Sequence, residues 1–291
     1  MIITPEELAI HECDEKLLDI INNKTFDDKT LYEKQSDFHS IKIVENEIGR
    51  FLHYKDTYQA GVINTDFYKG NIPYINYFLI PYLINPAIKN ILLIGMGTGI
   101  IVNQYEQLFT QLKKIDVVDI EENILEIAQN FFNFKQSEKF NFTLQDGLVY
   151  LNNTKQKYDL IVVDVASDEG IDERFCNDEY LKSIKTHLSK NGIFVSNMPS
   201  CADVMHPKNT FIHNLLSIYK NTFKCVNLYK GNESDKIYYK SFFNIEERVV
   251  DITNLIFISS DKNLDVNFDK QLIQNIEKLG VSIDNYLKDL I

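Results

Sequence analysis

The stretch from Asn90 to Gly99 constrains the fold of this chain more than any other part of its sequence. It reads Asn-Ile-Leu-Leu-Ile and continues directly into Gly-Met-Gly-Thr-Gly. An unbroken apolar run of this kind is typical of a strand buried on both faces of a parallel sheet. Glycines directly after such a strand let the backbone turn tightly and approach a ligand. We therefore predict a strand, a ligand-binding loop and a helix in succession, although a plain tight turn would need the same glycines.

The spacing of Gly95, Gly97 and Gly99 indicates which kind of ligand the loop would hold. The dinucleotide-binding pattern requires a glycine at the sixth position of the motif, and Ile100 occupies that position here. The observed pattern instead suits an adenosyl nucleoside, which has no pyrophosphate to seat. We predict that these three glycines bind such a nucleoside.

Strands and helices continue to alternate after the glycine loop. Further strands are predicted at Ile115–Asp119, Phe140–Leu144, Tyr158–Asp164 and Gly192–Asn197. This alternation implies a parallel sheet with helices on both faces, and strand patterns after residue 223 predict antiparallel additions at its edge. The predicted fold class is α/β, a Rossmann-like domain of the type found in S-adenosylmethionine-dependent transferases, with a small N-terminal antiparallel β-domain.

The sequence before the glycine loop has a different pattern of apolar and polar residues. Alternating segments that begin at Phe38, Gly49 and Tyr58 predict three short strands, and an apolar, aromatic-rich helix is predicted over residues 71–84. The chain therefore divides into three predicted regions: a polar lead-in over 1–34, a β-meander domain over 35–70, and the Rossmann-like domain over 71–291.

Carboxylates follow the second and third strands of the predicted parallel sheet. Asp119 ends one strand, with Glu121 two residues later, and Asp146 and Gly147 follow the next. Ligands of open α/β sheets bind at the carboxyl ends of the strands. We predict that Asp119 accepts hydrogen bonds from ribose hydroxyls and that Asp146, with Gly147, binds the adenine amino group. The alternatives are acidic turns or charges in the first turn of a helix.

Asp164 ends the fourth strand and opens an acidic loop that extends to Glu173. At this strand end its carboxylate would lie near the reacting carbon, where it could take a proton from an amine or orient a cationic nucleophile. The alternative is a solvated loop that leads into a helix capped by Asn177. We predict a catalytic role for Asp164.

Charge and cysteine content limit the partners and the compartment. The formal net charge of −12 would repel nucleic acid, so we expect no nucleic-acid partner. The four cysteines show no zinc-site spacing, so we expect no metal and a reduced cytoplasmic protein. No signal peptide or membrane span is expected, because the longest apolar run is interrupted by Pro81, Asn85 and Pro86.

Taken together, these residues resemble the spermidine synthase (polyamine aminopropyltransferase) family over roughly residues 32–200. The segments that carry the resemblance are Gln35–His39, Tyr58-Gln59, Tyr74 within Ile-Pro-Tyr-Ile-Asn, Asp146–Tyr150 and Tyr158–Asp164. The resemblance implies that the β-domain covers the nucleoside, with His39 on the nucleoside side and Tyr74 facing the substrate. It also implies that Asp164 is catalytic.

Several positions depart from the family pattern. Thr98 stands where the family has the aspartate that holds the aminopropyl ammonium, and Ser167 stands where it has a second acidic residue. Asp168 or Asp172 could replace the lost charges, and we assign Asp168 to the substrate site. The cofactor is expected to be S-adenosylmethionine or its decarboxylated form, and Thr98 favours the former, whose carboxylate an aspartate would repel.

The expected partner is a small-molecule acceptor, an amine, with no nucleic acid and no membrane. Three readings stay open: a divergent transferase of aminopropyl or methyl groups, a spermidine synthase with a rearranged pocket, and a non-catalytic nucleoside-binding or scaffold protein on the same fold. A homo-oligomer is also left open.

Overall fold

The computed structural model of the chain contains two β-sheets joined by a common core. It describes residues 27–46, 49–55, 57–63, 73–165, 172–201, 210–230 and 252–281, together with positions 283, 287 and 290. The strands that position Gly95, Asp119, Asp146 and Asp164 lie within these ranges.

The N-terminal sheet is an antiparallel meander of four strands in the order β1-β2-β3-β4. The strands are β1 Lys29–Gln35, β2 Ser40–Glu45, β3 Gly49–Tyr54 and β4 Thr57–Ile63. The sequence pattern predicted three of them. It did not indicate β1, which begins within the predicted lead-in, because most of its side chains are exposed and no apolar alternation marks them.

The second sheet has seven strands in the order β10-β11-β9-β8-β5-β6-β7. The strands from β9 to β7 run parallel, whereas β11 and β10 add to one edge in antiparallel pairing. The predicted fold class is confirmed. The strand bounds are β5 Asn90–Ile94, β6 Lys114–Asp119, β7 Phe140–Leu144, β8 Tyr158–Val163, β9 Leu188–Cys201, β10 Cys225–Lys230 and β11 Ile252–Ser260.

Seven α-helices connect and follow these strands in the described part of the chain. They are α1 Ile80–Ile84, α2 Ile100–Leu108, α3 Ile124–Phe131, α4 Gly147–Asn153, α5 Asp178–His187, α6 Thr210–Thr222 and α7 Lys270–Glu277. The single helix predicted over 71–84 is instead a 3-10 helix, Pro73–Leu79, followed by α1. The break has a physical cause, since Pro81 has no amide hydrogen and is favoured in the first turn of a helix rather than its interior.

The core packs against both faces of β5. Leu93 belongs to a buried cluster that includes Ile41 and Phe51 of the N-terminal sheet, whereas Leu92 belongs to the cluster beneath α5 and α6. This division follows from the two-residue period of a strand. Because β5 is buried on both faces, its carboxyl end is held firmly, and the glycine loop begins from a fixed position.

Candidate active site

Four parallel strands bring the predicted site residues to one edge of the large sheet. Ile94 at the end of β5 is in register with Val118 of β6 and Val163 of β8, and Asp119 is in register with Leu144 of β7. The glycine loop, Asp119, Asp146 and Asp164 therefore all follow strand ends at this edge. Such an edge is where open α/β sheets bind ligands.

The glycine loop is compact enough that two of its glycines cannot be replaced without displacement of a neighbour. Gly95 has a φ of +93°, and a Cβ atom there would lie 2.1 Å from the carbonyl oxygen of Asp164. Gly99 has a φ of +79°, and a Cβ atom there would lie 2.7 Å from the ring of Phe134. The loop thus requires glycine for both conformation and close approach.

Asp119 ties the end of β6 to the glycine loop. Its Oδ2 atom accepts a hydrogen bond from the Met96 amide at 2.7 Å, and its Oδ1 atom accepts one from the Glu121 amide at 2.8 Å. Burial raises the pKa of the Asp119 carboxyl, although these two backbone hydrogen bonds act against that rise. Each carboxylate oxygen has a further lone pair that can accept from a ligand.

Glu121 connects this edge to the N-terminal sheet. Its side chain is fully buried, and its Oε2 atom accepts from Ser36 Oγ at 2.6 Å and lies 3.2 Å from His39 Nδ1. Its Oε1 atom accepts from the amide and the side chain of Asn123. Burial alone would raise the pKa of Glu121, but the hydrogen bonds outweigh it and lower the pKa. The sequence marked this carboxylate only as a neighbour of Asp119.

His39 lies at the start of β2 and is half-buried. Its ring stacks on Tyr54 at a centroid distance of 3.9 Å, and Glu121 holds its Nδ1 atom. His39 therefore reaches the strand-end edge through Glu121, which follows Asp119 by two residues. The N-terminal sheet accordingly lies against the part of the site that the sequence assigned to the nucleoside.

Asp146 caps α4 and also holds a cation. Its Oδ1 atom accepts from the amides of Leu148 and Val149, and its Oδ2 atom accepts from Arg174 at 3.0 Å. Arg174 also forms a bidentate pair with Asp172, whose pKa is lowered mainly by that contact. Arg174 is not among the residues predicted from the sequence, because no local pattern links it to Asp146, 28 positions earlier.

Gly147 allows α4 to pack closely on β5. A Cβ atom at Gly147 would lie 2.5 Å from Ile94 Cγ2. A larger residue would push the start of α4, and Asp146 with it, away from the strand ends.

Asp164 lies just beyond β8 and is held from two sides. Tyr74, from the 3-10 helix, donates its hydroxyl to Asp164 Oδ2 at 3.1 Å, and Asn197, from β9, donates its amide to Asp164 Oδ1 at 3.1 Å. Burial raises the pKa of Asp164 to about 6, although both hydrogen bonds oppose the rise. The structure thus joins Tyr74 and Asp164, which the sequence selected, to Asn197, which it missed.

The structure says less about Thr98 and Asp168, two further positions selected from the sequence. Thr98 is buried, and its hydroxyl has no hydrogen-bond partner among the described residues. Asp168 lies outside the described residues. No cluster of His, Cys, Asp or Glu side chains that could hold a metal occurs in the described ranges. Within the same ranges, no helix is both long and apolar enough to cross a bilayer.

A model of the spermine/spermidine synthase domain matches residues 78–231, which is more than half of the chain and includes β5 to β10. The chain belongs to the spermine/spermidine synthase family. The resemblance predicted from the sequence is therefore confirmed. The matched segment includes Asp164 and Asn197, whereas Tyr74 and His39 precede it.

Individual relatives of this family member are distant in sequence. A polyamine aminopropyltransferase from Clostridium botulinum is 30% identical over 174 residues, which cover 58% of this chain and 59% of the relative. One from Buchnera aphidicola of Schizaphis graminum is 26% identical over 252 residues, with 83% and 85% covered. In several relatives, including the Clostridium protein, the match spans less than two thirds of the relative's length.

Solved structures give the same fold. The spermidine synthase from Thermotoga maritima superimposes with a TM-score of 0.68 at 15% identity, covering 90% of this chain and 84% of that protein. A spermidine synthase in complex with the transition state analogue AdoDATO gives a TM-score of 0.68 at 16% identity.

Proposed function

We propose that this family member transfers an aminopropyl group from a decarboxylated S-adenosylmethionine-type nucleoside to a small amine. The observation that carries the proposal is the position of Asp164, beside the glycine loop and between the side chains of Tyr74 and Asn197. Family membership supports it, and so does the activity that the relatives' name, polyamine aminopropyltransferase, gives them.

The nucleoside would lie across the strand ends. The glycine loop, Gly95 to Gly99, lets the backbone approach the sulfonium, and the outer lone pairs of Asp119 accept from the ribose hydroxyls. Asp146 and Gly147 would lie beside the base, and Asp146 would accept from its exocyclic amine. His39 would close the ribose side through its contact with Glu121.

Asp164 would act as the general base. An ammonium acceptor has no lone pair, so it first gives one proton to the Asp164 carboxylate. The freed nitrogen lone pair then forms a bond to the carbon beside the sulfonium, the carbon–sulfur bond breaks, and its electron pair neutralises the sulfur as a thioether. Asp164 passes its proton to solvent before this attack, so that its carboxylate can accept a hydrogen bond from the neutral amine. Because the pKa of Asp164 is about 6, this base is ionised at neutral pH and activity should fall below pH 6.

Methyl transfer from intact S-adenosylmethionine is the second candidate, and Thr98 favours it. A buried neutral hydroxyl at this position provides no charge for the ammonium of an aminopropyl group and would not repel a carboxylate. Both reactions use the same attack on a carbon beside a sulfonium, so Asp164 would serve either. Location in the cytoplasm is also part of the proposal.

The test supplies each nucleoside with a panel of primary amines and follows the product by mass spectrometry. Transfer of one aminopropyl unit supports the proposal, and transfer of one methyl group supports the second candidate. Asp164→Asn should reduce turnover by about 10²–10⁴ without loss of nucleoside affinity.

The matched control is Asp159→Asn, at the opposite end of the same strand, where the carboxylate accepts from the amides of Lys89 and Asn90. This variant should keep its activity. If no pair of donor and acceptor gives a product while nucleoside binding stays intact, the transferase proposal is wrong. The protein is then interpreted as a nucleoside-binding protein.

A further inference from the structure

Asn197 uses only one end of its side-chain amide for hydrogen bonding among the described residues. Only 6% of the residue is exposed, and its Nδ2 atom donates to Asp164 Oδ1 at 3.1 Å. Its Oδ1 atom is fully buried and accepts no hydrogen bond from the described residues. A buried carbonyl oxygen without a donor costs folding free energy, and native proteins seldom leave one unpaired unless it has a function.

The orientation of this amide is set by its neighbour. If the amide were reversed, its oxygen would face the carboxylate oxygen of Asp164, and two acceptors would repel each other. The carbonyl oxygen of Asn197 is therefore directed away from Asp164 Oδ1, but the two acceptors belong to groups in direct contact. A single nitrogen that contacted both acceptors would use one N–H bond for each.

The backbone that carries Asn197 is firmly held. It lies inside β9, whose neighbours on either side are β8 and β11: Ser196 is in register with Val163, and Asn197 itself with Ile256. A side chain on a strand that is paired on both sides is positioned more precisely than one on a loop. The acceptor oxygen thus has a defined place in the sheet.

We propose that Asn197 determines specificity for primary amines by accepting the second N–H of the attacking nitrogen. The inference rests on the proposed transfer. A neutral primary amine has two N–H bonds and one lone pair. If Asp164 and Asn197 hold the two N–H bonds, the lone pair has one remaining direction, which would be toward the carbon under attack. A secondary amine has one N–H bond and satisfies only one of the two acceptors, so it is held less well.

Two substitutions separate the functions of the two ends of the amide. Asn197→Leu removes both the donor to Asp164 and the acceptor for the amine, and it leaves a side chain of similar size. Asn197→Asp keeps an acceptor but replaces the donor with a second carboxyl group. In either variant Asp164 loses a hydrogen bond that opposes the rise of its pKa, so the acidic limb of the pH profile should move to higher pH.

Other groups near Asp164 stay in place in both variants. Tyr74 from the 3-10 helix and Tyr105 from α2 are the titratable side chains that interact with Asp164 in the described ranges. Neither is altered, so a shift of the acidic limb reports on Asn197. Asp168 and Glu169 lie outside the described residues and are not substituted in either variant.

Ser196→Ala is the matched control. Ser196 precedes Asn197 on β9, is equally buried, and bonds Tyr219 on the opposite face of the sheet at 2.6 Å. Its loss should cost stability without affecting the site, since successive strand residues face opposite ways. A change in amine preference here would mean that the strand, not the Asn197 side chain, is responsible.

The experiment compares 1,4-diaminobutane with its N,N′-dimethyl derivative as acceptors. The protein should favour the primary diamine in kcat/KM by about tenfold, the worth of one well-made hydrogen bond. Asn197→Leu should lose this preference, Asn197→Asp should retain it, and both should show the shifted acidic limb. An unchanged preference in Asn197→Leu overturns the inference.

Calorimetry with the same two diamines, on protein that contains 5′-methylthioadenosine, separates this inference from the proposed function. A preference in binding that Asn197→Leu abolishes supports the inference even if no group is transferred. Transfer without that preference supports the proposed function alone. Binding of neither diamine by the wild-type protein overturns the inference.

Discussion

The buried carboxylate of Asp164 should make the protein less stable at the pH where it would be active. The ordinary pKa of an aspartate is 3.8, and burial raises the pKa of Asp164 to about 6. Between these two values the folded protein binds more protons than the unfolded chain, so the free energy of unfolding decreases as pH rises. At about 1.4 kcal/mol per pKa unit, the loss approaches about 3 kcal/mol above pH 7.

Asp164→Asn removes this titration and should stabilise the fold. An asparagine can still accept from the Tyr74 hydroxyl, and its amide can donate to the unpaired Oδ1 atom of Asn197 once the Asn197 amide reverses its orientation. Relative to low pH, ionisation of Asp164 lowers the free energy of unfolding of the wild type by roughly 1.6 kcal/mol at pH 5 and by roughly 3 kcal/mol at pH 8. The stability gain of the variant should therefore be about 1.4 kcal/mol larger at pH 8 than at pH 5.

Urea unfolding of both proteins at pH 5 and pH 8 measures this difference. At about 2–4 °C per kcal/mol, melting temperatures should show the same trend, with an extra gain of roughly 3–6 °C at pH 8. Glu277→Gln removes one carboxylate from an exposed position and is the control for net charge. A gain that is equal at the two pH values, or that the control reproduces, would refute the assignment of the penalty to Asp164.

Three other substitutions, with Gly280→Ala as a control, test the nucleoside site and its connection to the N-terminal sheet. Asp119→Ala should weaken 5′-methylthioadenosine binding by about 1.5–3 kcal/mol in calorimetry, and unchanged affinity in folded protein would exclude the ribose role. Gly95→Ala would place a methyl group 2.1 Å from the Asp164 carbonyl, so it should abolish binding. Gly280→Ala, at a φ of +79° after α7, should lose stability and keep binding. Glu121→Gln should speed amide exchange in β2 and β3 by roughly five- to tenfold relative to β8, because a hydrogen bond to a charged group is stronger than one to an amide.

The parts of the site that could be predicted from the sequence are those fixed by chain order. Gly95, Asp119, Asp146 and Asp164 each lie at or just after the end of an apolar strand. Because parallel strands end at one edge of a sheet, their order along the chain predicts that these residues lie together. Their roles toward a ligand stay predictions, because their geometry does not by itself identify what they bind.

The residues that the sequence did not reveal depend on contacts between distant segments. Asn197 follows the apolar run Ile193–Val195 on the strand beside β8, and only the pairing of β8 with β9 brings it to Asp164. Arg174 reaches Asp146 across 28 positions of the chain. The signal for Asn197 was a polar residue at the end of an apolar strand, the same signal that selected Asp164, and it could have been applied there too.

The contact of Ser36 and His39 with Glu121 has a consequence for the lifetime of the protein. A nucleoside bound at Asp119 would stabilise the native conformation of residues 119–121. Opening of the N-terminal sheet must break the hydrogen bonds from Ser36 and His39 to Glu121 in that segment. A ligand at 100 times its dissociation constant adds about 2.7 kcal/mol against any opening that releases it. Proteolysis of the N-terminal sheet would then slow as nucleoside accumulates, so the supply of nucleoside would set how much of the protein survives.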